Sequence, residues 1–337
     1  MPNIDLHTHV LPQKLINAIL HDPSFFGAKE EARTGIKVVE RDGAVFFESN
    51  GRLNEIEREL YDVEAKIEAM DRMRIDVSGI SISPPAYLYN VSAEAGLRAS
   101  RLSNDGIAEM AAHAPARFRG MATLPMQDPD AAIAELERVV REHRFKAVEL
   151  GTSVEGIQLA DAKFRPVLKT IEQLGCFIFA HPYSCSAKGG MNAYEFTNTI
   201  GIPLDEVLMT GHLMFSGALD ELTRLRIVIA HGGGYVPYQI GRLEHGHRRR
   251  PGARVHTQSS PRDMLRRFYF DALTHDPKAA RFLIDQVGAD RVVLGTDNPF
   301  DMGYDDPLGE LERIPNLTAA ERRQICEKTA LDLLGEA

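Results

Sequence analysis

The chain has 337 residues, 26% charged and 44% hydrophobic, and its 39 basic against 48 acidic side chains leave a formal charge of −9. That balance argues against broad attraction to nucleic acid or to an anionic membrane, and no apolar run approaches the roughly 18 to 20 residues of a spanning helix. The start, Met-Pro-Asn-Ile-Asp-Leu-His, lacks the basic-then-apolar pattern of a secretory signal, so a cytoplasmic protein is expected. Cys176, Cys185 and Cys326 form no CxxC pair; reduced thiols are expected, rather than disulfides or a thiolate zinc site.

Short apolar or β-branched runs recur along the chain, most of them followed by helical periodicity, the pattern of βα units around a parallel sheet. Strands are predicted over 4–6, 77–82, 118–124, 147–150, 176–180, 227–230, 268–272 and 292–294, and helices over 62–73, 130–141, 164–174, 277–287 and 319–334. Asp128-Pro129 and Asp276-Pro277 each place a capping carboxylate before a proline that the first helical turn tolerates. Eight strands alternating with helices predict a (β/α)8 TIM barrel, a single domain over 1–337. A doubly wound sheet fits less well, because its glycine fingerprint is missing after the first strand. The first connection, about 10–60, carries a hairpin pattern, Lys37 to Glu40 and Ala44 to Glu48 around Arg41-Asp42-Gly43. It is read as a small insertion subdomain over one barrel face. The basic run from His247 to Arg254 is read as a solvated helix end.

In such a barrel the active site is built where the strands end on one face. His7 and His9 close the first predicted strand, His181 the fifth and His231 the sixth, and Asp297 follows the eighth. Five ligands or proton carriers therefore converge from four parts of the chain. A spacing of two in an extended segment points His7 and His9 to one side, within reach of one ion. With His181 and Asp297 they form a nitrogen and oxygen set that suits Zn²⁺, with Mn²⁺, Fe²⁺ or Co²⁺ as alternatives and a water completing the shell. A lone His-x-His can simply cap a strand; four donors on one face argue for metal.

His231, in Ala230-His231-Gly232-Gly233-Gly234, can be a fifth ligand or a general base, and Asp297 can move a proton as well as bind metal. The fourth strand offers no lysine for a carbamate bridging two ions, so one metal per chain is expected. Glu149 can bridge a second ion or be a polar interior group, and Asp271 is equally open. Arg242, on a predicted helix, and Arg52, in the insertion, can each clamp a carboxylate by two parallel hydrogen bonds or lie on the surface.

These residues belong to longer motifs: His7-Thr8-His9-Val10-Leu11-Pro12, Glu68-Ala69-Met70-Asp71, Thr123-Leu124-Pro125-Met126-Gln127, His181-Pro182, Phe215-Ser216-Gly217 to Gly241-Arg242, Asp271-Ala272-Leu273 with His275-Asp276-Pro277, and Leu294-Gly295-Thr296-Asp297-Asn298-Pro299-Phe300. Through them the chain resembles the amidohydrolase superfamily, and more narrowly its aminocarboxymuconate-semialdehyde decarboxylase branch. The resemblance implies one zinc held by His7, His9, His181 and Asp297, with His231 activating the metal-bound water. It implies a homodimer in which Arg242 reaches the neighbouring subunit's site, and Arg52 is the candidate for the family's N-terminal substrate arginine.

The activity implied is non-oxidative decarboxylation of an unsaturated or aromatic carboxylic acid, in aromatic catabolism. Hydroxide addition followed by protonation through Asp297 is one route, and direct protonation of the carbon bearing the carboxylate is the other. The same site can also serve a hydrolase of an ester, lactone, amide or C–C bond, or a hydratase; a catalytically silent metal-binding scaffold is the rival from another class. Tyr183 stands where the family has tryptophan, the chain has no Trp, the loop Pro84 to Tyr89 differs, and Asn298 replaces an aromatic beside Asp297. Metal chemistry therefore carries over more firmly than substrate identity.

Overall fold

The computed structural model describes residues 2–22, 25, 36–41, 44–49, 52–183, 185–187, 189–191 and 193–336, with backbone alone at several positions of 36–54. Eight strands, β1 (Ile4–Val10), β2 (Val77–Ile82), β3 (Phe118–Ala122), β4 (Ala147–Gly151), β5 (Phe177–His181), β6 (Arg226–Ile229), β7 (Phe268–Asp271) and β8 (Val292–Val293), lie side by side in chain order. Every neighbouring pair is parallel. The ring closes where β1 meets β8 and its continuation, through the bridges Asp5 to Leu294 and Thr8 to Asn298. The predicted (β/α)8 barrel is the observed one.

A helix follows each strand: α1 (Val63–Met73), α2 (Ala93–His113), α3 (Pro129–Glu142), α4 (Arg165–Gln173), α5 (Ile202–Phe215), α6 (Val236–Arg249), α7 (Pro277–Val287) and α8 (Ala319–Arg323, continuing through a π-turn, Gln324–Lys328, into Thr329–Leu334). Asp128 and Asp276 cap α3 and α7 through backbone N–H groups of the first turn, as their Asp-Pro pairs predict. Two helices escape sequence periodicity for physical reasons. The buried face of α2 is made of small residues such as Ala95, Gly96, Ala99 and Ser103, which pack closely without an apolar stripe, and α5 is apolar on most faces.

One departure positions the site. The first strand runs on to Val10, so His7 and His9 lie inside it instead of closing it. Pairing continues this far because β2 matches it to the end, Val10 opposite Ile82, but the register slips between Asp5 and Thr8. Asp5 faces Ser78 and Thr8 faces Ile80, so β1 spends one residue more than β2 over this stretch. Such a bulge reverses which alternate residues face inward. Below it, Ile4 and Leu6 pack with Met121, Phe177, Phe179 and Val228 in the barrel interior; above it, His7 and His9 take the inward positions. On β5 the alternation is unbroken, and Phe177 and Phe179 lead directly to His181. The outward residues, among them Ile80, Ile178, Ile227 and Phe270, join the larger core under the helices. At the barrel's other end, Ala330 and Leu333 of α8 cover the interior cluster.

The connection after β1 holds a helix, Gln13–His21, a three-stranded antiparallel sheet, Ile36–Arg41, Ala44–Ser49 and Arg52–Glu55, and a short helix, Arg58–Tyr61. Arg41 pairs with Ala44, which gives the predicted hairpin a two-residue turn; Asp42 and Gly43 themselves lie outside the described residues. The three cysteines form no disulfide. Among the described residues no helix is long and apolar enough to cross a membrane.

Candidate active site

The barrel brings together His7 and His9 from the upper part of β1, His181 at the end of β5, His231 just after β6 and Asp297 in the turn after β8. Four of them, His7, His181, His231 and Asp297, offer donor atoms within 4.8 Å of one another. His9 Nε2 lies 3.0 Å from Asp297 Oδ1, and His7 Nε2 lies 3.3 Å from the same oxygen. The imidazoles stand edge to face, with ring centroids 4.9 Å apart for His9 and His181 and 5.2 Å for His7 and His9. Phe179 underlies His7 and Phe300 flanks His9.

Each ring is oriented from behind. His7 Nδ1 donates to Asp271 Oδ2 at 2.6 Å, His181 Nδ1 to the Pro182 carbonyl at 2.6 Å, and His231 Nδ1 to Glu206 Oε1 at 2.6 Å. The acceptor nearest His9 Nδ1 is Glu149 Oε1, farther off at 3.7 Å, and Tyr87 donates its hydroxyl to that carboxylate. A carboxylate or carbonyl behind the ring places the proton on Nδ1 and leaves the Nε2 lone pair facing the site. Those inward atoms are then unmatched: His7 Nε2, His9 Nε2, His181 Nε2 and Asp297 Oδ1 are buried without a hydrogen-bond partner. Buried polar atoms are rarely left so, and four converging at one point suit a divalent cation.

The electrostatics follow from this crowding. Burial opposes the His7 cation, but Asp297 and Asp271 outweigh it and hold the pKa up to about 9. Burial, with the neighbouring rings, drives His181 well below the usual imidazole value. Asp297 is held well below the carboxylate range because His7, His231 and His9 overcome the cost of its burial. His231 is raised well above the ordinary value despite burial, by Glu206 and Asp297, while burial pushes Glu206 up to about 7.

Local backbone makes the arrangement possible. His231 and Asp297 both adopt left-handed conformations, φ 49° and 60°, rare for residues with a side chain and characteristic of functional turns. A Cβ on Gly234 would sit 2.3 Å from the Pro203 carbonyl oxygen and 3.0 Å from Glu206 Oε2. Glycine there is what lets α5 bring Glu206 against His231.

Above the cluster opens a cavity of about 350 Å³, bounded by Pro84, Pro182, Ile202, Pro203 and Phe300 together with His181, His231 and Asp297. No lysine or arginine is among the described residues that line it. Arg242 lies exposed on α6 outside this lining. Arg52 opens the third insertion strand, and its side chain lies outside the described residues. Asp271 is an interior group that orients: its carboxylate also accepts the backbone N–H groups of His231, Gly232 and Leu273. Glu149 is an interior group bound by Tyr87. Glu206 carried no sequence signal, since it lies one helix away from every motif histidine.

The amidohydrolase family model matches residues 4–335. A 2-amino-3-carboxymuconate-6-semialdehyde decarboxylase of Dictyostelium discoideum is 31% identical over 335 residues, 98% of this chain and 91% of that protein. A gamma-resorcylate decarboxylase of Rhizobium sp. is 30% identical over 268 residues, 73% of this chain and 80% of that protein. Among solved structures, a dihydroxybenzoic acid decarboxylase from Polaromonas sp. JS666, with bound manganese and the inhibitor 2-nitroresorcinol, superposes with a TM-score of 0.77 at 23% identity, covering 99% of this chain and 97% of that one. These relatives are decarboxylases, that is, carbon–carbon lyases. By the match along its length and the near full-length likeness to a curated relative, the chain belongs to the amidohydrolase family, in the branch that holds the aminocarboxymuconate-semialdehyde decarboxylases.

Proposed function

We propose that this chain is a metal-dependent, non-oxidative decarboxylase of an aromatic or unsaturated carboxylic acid, with one divalent ion held by His7, His9, His181 and Asp297. One observation carries it: the partnerless buried atoms of those four residues converge beneath a cavity of monocyclic-substrate size. The set of three imidazoles and one carboxylate suits Zn²⁺, and Mn²⁺ is the ion bound in the Polaromonas relative. A divalent cation there supplies a Lewis acid for substrate oxygens and lowers the pKa of a coordinated water.

The chain's own residues handle the protons. Glu206 holds His231 Nδ1–H, so the proton that the ring gains or gives up is the one on Nε2, which faces the cavity. A cation beside it would oppose the upward pull of Glu206 and Asp297 and favour the neutral ring as a base, and the imidazolium formed is stabilised by Glu206. Asp297 Oδ2 lies 3.7 Å from His231 Nε2, a gap that one water can bridge, so a proton drawn from water by His231 can pass by way of Asp297 to the substrate carbon. As that carbon gains its proton, the bond to the carboxylate breaks and CO₂ leaves, with no oxidant or reductant consumed. Pro84, Pro182, Ile202, Pro203 and Phe300 offer the substrate ring apolar surface to pack against.

The test is CO₂ release by protein loaded with Zn²⁺ or Mn²⁺, over a panel of aromatic and unsaturated acids. Release with at least one of them is expected. Turnover that gives hydrolysis or hydration products without CO₂ would replace the decarboxylase with a hydrolase or hydratase on the same cluster.

The missing cation for the substrate carboxylate comes, in this proposal, from Arg242 of a second copy, in a cytoplasmic homodimer, with Arg52 of the insertion as the other candidate. The lack of lysine or arginine among the described lining residues supports it. Arg242→Ala should raise KM for the acid about tenfold or more, the loss of a charge-assisted hydrogen bond. Mixing it with His231→Ala should return part of the activity, since one site of each mixed dimer then has both residues intact; verified mixing without recovery would place Arg242 outside the site.

A further inference from the structure

Lys66, on α1, is the one fully buried side chain among the described lysines and arginines. Its ammonium donates to the His9 carbonyl at 3.0 Å, the Asn298 carbonyl at 3.0 Å and Asn298 Oδ1 at 2.8 Å. An ammonium has three protons, and each finds an oxygen. Burying a charge is expensive even when it is fully bonded, so a lysine here must do something that a methionine of similar length would not.

The acceptors show what that is. They belong to the segments carrying His9 and Asp297, on opposite sides of the seam where β1 meets the continuation of β8. The seam carries two isolated bridges; below His9 it is held by Leu6 N–H on the Leu294 carbonyl and by Thr296 and Asp297 N–H on the His7 carbonyl, and at its upper end, beside His9, the bonds crowd onto one group. The Asn298 carbonyl accepts His9 N–H at 2.9 Å, Thr8 Oγ1 at 2.9 Å and the Lys66 ammonium at 3.0 Å. His9 Nε2 and Asp297 Oδ1 face each other across this seam at 3.0 Å, and ligand distances tolerate only about 0.2 Å of error. Asn298 also stands where an aromatic is expected from the family resemblance, and its amide oxygen is what the third Lys66 proton meets.

We propose that Lys66, with Asn298 as its partner, is a positioning residue: it sets the spacing of His9 and Asp297 across the seam, and through that spacing the affinity for the divalent ion. This rests on the metal site proposed above. A merely structural lysine would stabilise the fold without tuning the ion.

The test is Mn²⁺ binding measured by competition with a chelator on the full chain, with thermal unfolding followed in parallel. Lys66→Met should weaken Mn²⁺ binding by about tenfold or more, the usual consequence of losing a group that orients ligands, and Lys66→Arg should recover most of it. Asn298→Ala should weaken binding a few-fold by removing one acceptor, and should add nothing further in the Lys66→Met background, since the two act as a pair. Wild-type affinity in Lys66→Met, or independent additive losses, overturns the proposal. Should Lys66→Met fail to fold, Asn298→Ala decides, and wild-type Mn²⁺ affinity in that variant overturns it. If the unaltered protein binds neither Mn²⁺ nor Zn²⁺, the metal site itself is wrong and the proposal falls with it; unchanged affinity in the variants alone removes only the role of Lys66.

Discussion

Chelation of divalent ions is expected to abolish turnover, and adding back Zn²⁺ or Mn²⁺ to restore it. The expectation follows from four buried atoms, His7 Nε2, His9 Nε2, His181 Nε2 and Asp297 Oδ1, that lack hydrogen-bond partners and whose desolvation is otherwise uncompensated. An ion that binds only the folded chain also stabilises it, by about 4 kcal/mol at a free concentration near a thousand times Kd, so thermal unfolding should move up by several degrees on loading. Binding should strengthen with pH. In the metal-free protein the His7 cation is held up to about 9, above the ordinary 6.5, so proton and ion compete for Nε2 over that window. The stability that the His7 ion pairs give the metal-free chain is complete below pH 6.5 and fades as the pH rises through about 9. Protection by the ion should therefore be greatest at the alkaline end. Chelator competition at pH 6, 7.5 and 9 checks the sign, and a flat profile would mean that His7 gives up no proton on binding.

His231→Ala should keep its ion and lose turnover by about two to four orders of magnitude, the range of a general acid–base group. Unlike the proposed ligand atoms, His231 Nε2 is not among the buried partnerless ones; the ring is partly exposed to the cavity. Its partner Glu206 gives it the architecture of a base, an imidazole oriented by a carboxylate. The donor of His231 nevertheless lies in the same compact group as those of His7, His181 and Asp297, so metal content must be measured beside kcat. A variant that loses both places His231 in the coordination shell, and one that retains both has another base.

The convergence of His7, His9, His181, His231 and Asp297 was legible in the sequence because barrel architecture gathers one rim of the sheet at a single face, and these residues lie in or just after its strands. Their supporting residues were not. The bulge in β1, which turns His7 and His9 inward above Ile4 and Leu6, leaves no compositional trace, because every residue from Ile4 to Val10 is buried. Glu206 and Lys66 reach the site from helices whose sequences hold no hint of what their polar atoms meet. Asp271 was visible as a strand-end carboxylate, but its task of orienting His7 depends on the closing of a ring that a linear pattern cannot display. Helix α2 was missed because small residues pack by proximity, without the periodic bulk that marks an amphipathic helix.

The seam between β1 and β8 has a temporal consequence. It joins the barrel's first strand to its last, and the histidine pair of β1 waits on an aspartate almost 290 residues later. A nascent chain can present His7, His9, His181 and His231, yet it has no carboxylate at their centre until Asp297 has emerged and the final strand has docked. Capture of the proposed ion would therefore be a late event of folding, favoured only after the costly long-range closure is complete. An ion bound there would act as a clasp on a finished barrel, holding β1 and the segment after β8 together once there is something to fasten.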